Sequence, residues 1–210
     1  CLVGSEMCIR DRNGKPFGQL VGANRHQDFA YVGNALPNSQ QWRDAKRLRD
    51  AGCTIIRVAH YPQDPSFMDA CDELGLFVIV ATPGWQYWNK DPKFGELVHQ
   101  NTREMIRRDR NHPSIFCWSI GNEVIERKKL EVVTTARKLA DYVHKFDPSR
   151  PVTSALAAWD NDWEIYDPLA AVHEIVGYNY LLHRAPVDHQ RVPSRIIMPV
   201  SYTHLRAHET

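Results

Sequence analysis

Ile115-Phe116-Cys117-Trp118-Ser119-Ile120-Gly121-Asn122-Glu123 is the stretch on which the fold turns. Residues 115–120 are apolar on both alternating faces apart from one serine, the pattern of a strand covered on both sides. That strand runs out into an amide and a carboxylate, so a buried element delivers Asn122 and Glu123 to one of its ends. A carboxylic acid in such a place can protonate a leaving-group oxygen, and an amide beside it can hydrogen-bond a hydroxyl. From local pattern alone Glu123 can equally cap its loop or pair with an arginine.

Outward from this segment, short β-rich runs alternate with amphipathic ones. Strands are expected at 18–23, 54–59, 76–81, 115–120, 152–156, 174–178 and 195–198. Helices are expected at 39–51, 66–74, 94–110 and 126–146. Gly52 and Gly75 end the first two helices, and Asn111-His112-Pro113 and Asp147-Pro148 end the last two, because proline biases the residue before it away from the α region. Helix 39–51 is expected to turn Trp42, Ala45, Leu48 and Ala51 inward. Apolar strands with helical crossovers imply a parallel sheet covered on both faces, either doubly wound or a barrel. No GxGxxG or GxxxxGK[ST] follows any strand, which removes the best support for a nucleotide-binding sheet. Polar and aromatic residues follow strand after strand: Asn24, Arg25 and His26, then His60, Trp85, Asn122 and Glu123, Trp159, and finally Asn179 and Tyr180. A ring of such residues at successive strand ends is what a barrel active site requires. The fold class is therefore α/β, a (β/α)8 TIM barrel with about seven of its eight strands present.

Composition narrows the function. Of 210 residues, 26 are Lys or Arg and 25 Asp or Glu, a net charge of +1 that gives no field to hold a phosphate backbone or an anionic membrane. No apolar run approaches the roughly 20 residues a membrane-spanning helix needs. With 43% hydrophobic residues the chain has material for a packed core. Residues 1–12 and 200–210 share no periodicity with the interior and are similar to translated adapter sequence, so they are read as non-native scars flanking a barrel domain at 13–199. Three cysteines then remain, Cys53, Cys71 and Cys117, all in regular apolar segments and expected as buried free thiols.

Four motifs carry a resemblance: Asn24-Arg25-His26; Arg57-Val58-Ala59-His60-Tyr61-Pro62; Arg108-Asp109-Arg110-Asn111-His112-Pro113-Ser114; and Trp118-Ser119-Ile120-Gly121-Asn122-Glu123. In this order and spacing they resemble the catalytic barrel of glycoside hydrolase family 2, which includes β-galactosidases, β-glucuronidases and β-mannosidases. The resemblance implies a retaining glycosidase, with a β-galactoside as the first expectation and a β-glucuronide or β-mannoside as alternatives. It makes Glu123 the general acid/base and Asn122 the partner of the sugar 2-hydroxyl. Among the aromatic residues crowding the mouth loops, Trp85, Tyr87, Trp88, Trp159 and Trp163, Trp85 sits closest to its strand and is expected against the sugar's apolar face. Arg57, three residues before His60, is expected beneath the carboxylates, with Arg25 in the same sense, while the resemblance puts His26 and His60 along the sugar site. Of Tyr178 and Tyr180, it favours Tyr180 as the hydroxyl that holds the nucleophile. Asn111-His112-Pro113 is expected to be structural, at the opposite face.

Retention needs a second carboxylate about 5–5.5 Å from the first. The family has it just after the seventh strand, where this chain has Ile196-Ile197-Met198 and no glutamate before Glu209, while Asp188 precedes that strand. The nucleophile and eighth strand are thus expected to be missing, and this polypeptide to be inactive, as are the β-sandwich domains usual in the family. The third strand ends Val80-Ala81-Thr82-Pro83-Gly84-Trp85, without the acidic residue that helps many members hold a metal, so no metal and no cofactor are expected. Two other readings remain for comparison. A metal-dependent hydrolase using His26, His60 and Asp28 lacks an HxH pair on one strand. A non-catalytic carbohydrate-binding protein leaves the Asn122-Glu123 pair unexplained.

Overall fold

The computed structural model describes residues 11–12, 15–16, 19–83, 87–124, 129–157 and 164–201. A short antiparallel pair, β1 (Asp11–Arg12) and β2 (Lys15–Pro16), precedes the main sheet. That sheet has seven strands in sequence order: β3 (Gly22–Arg25), β4 (Ile55–Val58), β5 (Phe77–Ala81), β6 (Ile115–Asn122), β7 (Val152–Leu156), β8 (Ile175–Asn179) and β9 (Ile196–Ser201). Every pairing is parallel. The crossovers carry α1 (Asn38–Asp50), α2 (Pro65–Leu74), α3 (Pro92–Asp109), α4 (Leu130–Phe146), the short α5 (Asp167–Ala170) and α6 (Ala185–Arg191). Strictly sequential parallel pairing curls a twisted sheet toward closure. Here β3 and β9 end as the two edges flanking a cavity of about 500 Å³, lined by Gly22, Ala23 and Asn24 on one side and by Met198 to Ser201 on the other. The molecule is an incomplete (β/α)8 barrel.

Helix boundaries follow from local chemistry. Asp64 and Asp91 accept from the backbone N–H of Ser66 and Lys93, capping α2 and α3, and each is followed by a proline that needs no donor there. Gly75 closes α2 at φ 67°, a left-handed geometry that a β-carbon would oppose.

Alternation along the strands sorts the core into two layers. Toward the helices lie Ile56 and Val58 of β4, Val78 and Val80 of β5, and Trp118 and Ile120 of β6, packed with Phe67, Met68, Ile106 and Val143. Inside the barrel lie Ile79, Phe116, Cys117, Ile175 and Met198. The Trp118 indole reaches through the outer layer to donate to Asp147 Oδ2 at 2.9 Å. One expected face is wrong. In α1 the inward residues are Gln41 and Ala45, while Trp42 and Ala51 are exposed and Leu48 is half-buried. The helix is rotated because Gln41 and Asp44 turn toward a buried guanidinium, that of Arg25 on β3. Cys71 and Cys117 are buried thiols as expected, whereas Cys53 is half-buried.

Candidate active site

The strand ends converge by parity, with one interruption that matters. On β4, Ile56 and Val58 face the helices, so alternation turns Arg57 into the barrel, where it is 4% exposed. On β6, alternation from Trp118 and Ile120 would send Asn122 toward the helices. The pairing with β7 instead shifts between Ser119 and Asn122: Ser119 opposes Thr153 but Asn122 opposes Ala155, so β6 carries an extra residue. This bulge re-aims Asn122 into the barrel, a common use of bulges beside functional sites. Glu123 then leaves the strand at φ 50°, its N–H donating to the Ala155 carbonyl at 2.8 Å. A side-chain-bearing residue in the left-handed region costs about 1–2 kcal/mol, and such residues cluster at functional sites.

The groups brought together form one hydrogen-bonded chain. Arg57 Nη2 donates to Asn122 Oδ1 at 2.7 Å. Asn179 Nδ2 donates to the same oxygen at 3.2 Å and to Glu123 Oε1 at 2.7 Å. With Arg57 and Asn179 both on Oδ1, the Asn122 amide presents its Nδ2 as the part that can donate to a ligand. Burial pushes the Arg57 guanidinium down to about 10, against the upward pull of the Glu123 carboxylate. His26 and His60 stand beside this chain as a T-shaped pair with ring centroids 5.5 Å apart. Burial, with Arg57 and His26 adding to it, holds His60 down to about 4, so its imidazole is neutral at physiological pH and can both donate and accept.

Of the residues singled out from sequence, Arg57 and Asn122 thus meet directly, Asn179 links them to Glu123, and His26 meets His60. Arg57 sits on Asn122, with the two carboxamides between it and the mouth. Tyr180 stands at the tip of β8, 47% exposed, at φ 63° and with its N–H bonded to the Ser201 carbonyl at 3.1 Å. Tyr178 is excluded from the mouth: it faces the helices, and its hydroxyl donates to Asp188 Oδ2 at 2.8 Å. Arg25 also departs from expectation. Its guanidinium binds Gln63, Gln41 and Asp44 and lies 4.1 Å from the centre of the Phe67 ring, bracing α1 and α2. Trp85, Trp159 and Trp163 lie outside the described residues. Tyr87 and Trp88 line a small apolar pocket that Glu123 also borders.

Asn179 is named from sequence among the strand-end polar residues but without a role of its own. Alternation from Ile175 through Gly177 was the signal, since it turns position 179 inward and 178 outward. Among the described residues one carboxylate–imidazole group has the spacing to approach a cation, Asp69, Asp72 and His112. It belongs to the N-terminal end of β6, opposite Glu123, and both Asp72 oxygens are engaged, by His112 Nδ1 at 2.6 Å and Ser114 N–H at 2.9 Å. The Asn111-His112-Pro113 turn is structural in this sense.

Comparison with known proteins agrees with this fold. The sequence profile described as "Glycosyl hydrolases family 2, TIM barrel domain" matches residues 5–173. A β-galactosidase of Thermoanaerobacter pseudethanolicus is 43% identical over 141 residues, 66% of this chain and 18% of that protein. A β-galactosidase of Thermoanaerobacterium thermosulfurigenes is 40% identical over 139 residues, 66% of this chain and 19% of that protein. Among solved structures, a family 2 member from Bacteroides cellulosilyticus superposes with a TM-score of 0.77 at 34% identity, over 86% of this chain and 24% of that one. Bacteroides uniformis β-glucuronidase 2, covalently bound to cyclophellitol-6-carboxylate aziridine, gives a TM-score of 0.79 at 29% identity, over 88% of this chain and 25% of that one. The chain spans about a fifth of the length of the curated relatives it matches.

Proposed function

The chain belongs to glycosyl hydrolase family 2, and from that membership we propose that it is the core of an enzyme hydrolysing terminal β-glycosides with retention of configuration. The observation that carries this reading is the buried Glu123 carboxylate at the bulged end of β6, held by a chain of amides that ends on a cation. In the first step Glu123 gives its proton to the glycosidic oxygen while a second carboxylate attacks the anomeric carbon. In the second, Glu123 takes a proton from the water that releases the sugar. Asn122 donates to the 2-hydroxyl, a bond that strengthens as charge develops at the anomeric centre. His26 and His60 bind the sugar's other hydroxyls, Tyr180 reaches the nucleophile, and Trp85 stacks on the pyranose. Arg57 contributes by fixing Asn122.

The nucleophile is assigned to a position following β9, in keeping with the family resemblance. Among the described residues β9 ends in Met198-Pro199-Val200-Ser201, with no carboxylate there. The 210-residue chain is therefore expected to leave nitrophenyl β-glycosides intact, and hydrolysis abolished by Glu123→Gln would overturn that expectation. The first substrate proposed is a β-galactoside, supported by relatives named β-galactosidase, with a β-glucuronide second. The short span of the relatives that is matched supports further domains in the parent protein.

A reagent that needs no nucleophile tests the assignment. N-bromoacetyl-β-galactosylamine carries an alkylating group where the aglycone oxygen would lie. Mass spectrometry should find a single adduct, on Glu123, suppressed by galactose more than by glucuronate or mannose. An adduct elsewhere, or none, removes Glu123 from its role; suppression by glucuronate instead changes the sugar.

A further inference from the structure

We propose that Asn179 is a positioning residue that determines which oxygen of Glu123 carries the catalytic proton. The inference rests on the acid/base reading of Glu123 and adds to it a partner from a different strand.

Asn179 ends β8 and is 2% exposed. Its Nδ2 faces two acceptors, Glu123 Oε1 at 2.7 Å and Asn122 Oδ1 at 3.2 Å, while its own Oδ1 is buried without a protein partner. The opposite amide orientation would bring a carbonyl oxygen against a carboxylate oxygen, so the donor role follows from the neighbours. The contact spans from β8 to β6 across β7, whose Leu156 faces the helices and whose inward residue at that level is Ala155, opposite both Asn122 and Gly177. Two small residues keep the path between the strands clear. The tip is held from the other side by the Tyr180 N–H on the Ser201 carbonyl of β9.

A carboxylic acid has one carbonyl and one hydroxyl oxygen, and the carbonyl is the stronger acceptor. With the Asn179 N–H on Oε1, that oxygen stays the carbonyl and the proton resides on Oε2. After proton transfer the same N–H, now charge-assisted, keeps the carboxylate from swinging away before the second step. Through Asn122 Oδ1, Asn179 also ties the acid to the amide assigned to the 2-hydroxyl, so proton donor and sugar are held in one frame.

Two readouts test this on the 210-residue chain. In the 15N-labelled protein, the Asn179 carboxamide signals, identified by their loss in Asn179→Asp, should shift when Glu123→Gln removes the carboxylate. Signals unmoved by Glu123→Gln overturn the contact. Labelling of Glu123 by N-bromoacetyl-β-galactosylamine should slow by about tenfold or more in Asn179→Asp and Asn179→Leu, the size expected for one lost hydrogen bond to a charged group. Bromoacetamide, which has no sugar to orient it, should label these variants at the wild-type rate. Equal sugar-directed rates in wild type and both variants overturn the positioning role, as does a parallel loss with both reagents. The aspartate variant keeps the side-chain shape if the leucine variant folds poorly. A wild-type chain that takes no sugar-directed label counts against the acid/base reading itself, and the carboxamide signals then decide the contact alone.

Discussion

Replacing Arg57 by methionine should raise the thermal stability of the chain while disabling its sugar site. Burial dominates the environment of this guanidinium, which is 4% exposed and pushed down from its ordinary value to about 10. At about 1.4 kcal/mol per unit, that difference means the charged form costs the fold about 3 kcal/mol. The sign follows from linkage: a base whose folded value is depressed carries this penalty in full below pH 10, neutral pH included, and sheds it only as pH rises further. The attraction of Glu123 is already contained in the value. Against the gain stands the bond to Asn122 at 2.7 Å, about 1 kcal/mol, while Asn122 Oδ1 keeps its Asn179 donor. Breaking a buried ion pair would be worse, but the direct partner here is a neutral amide. The balance is a gain of about 2 kcal/mol, or about 4–8 °C in melting temperature for a domain of this size. Calorimetry at pH 7 reads the stability, and sugar-directed labelling of Glu123 reads the site. A melting temperature several degrees lower would refute the reasoning, because the guanidinium would then be a net stabiliser rather than a cost accepted for orientation.

Other expectations follow from single contacts. Burial holds His173 down to about 4, so its stability contribution is complete above the unfolded value near 6.5 and drains away as pH falls from there toward 4, by about 3 kcal/mol in all. In His173→Leu the melting temperature should fall less steeply across that window; an unchanged slope assigns the acid sensitivity elsewhere. A β-carbon at Gly177 would lie 2.6 Å from the Ser154 carbonyl oxygen, with backbone that cannot step aside. Gly177→Ala should therefore lose about 1–3 kcal/mol, typical of overpacking, and a wild-type melt would mean β7 and β8 are farther apart than this contact requires.

Much of the fold was legible because its signals are local. Val152–Leu156 has the bounds expected from sequence, β5 follows from an uninterrupted apolar run, and β4 and β6 from apolar runs broken only by Arg57 and Ser119. Gly75 and the Asp-Pro pairs at 64–65 and 91–92 punctuate the chain by chemistry that needs no tertiary partner. The failures share a different cause. The inward face of α1 was misassigned because a buried arginine on another element, Arg25, draws Gln41 and Asp44 inward. Hydrophobicity alone does not register such a pull. Motif resemblance brought Asn122 and Glu123 together, yet the bulge that aims Asn122 is a property of two strands in register and has no mark in either one. Asn179 and Tyr178 are the instructive pair: alternation along β8 distinguishes them, whereas residue type alone does not.

The central claim is that Glu123 is a proton donor whose partner nucleophile is not among the described residues, and exogenous azide tests it most directly. Azide entering from the α face would form a bond to the anomeric carbon of methyl β-galactoside as the bond to the methoxy oxygen breaks and Glu123 protonates that oxygen, which is too basic to leave without the proton. The account expects α-galactosyl azide from the wild-type chain and none from Glu123→Gln. A β-configured azide, an equal yield from both proteins, or no azide product from either would contradict it.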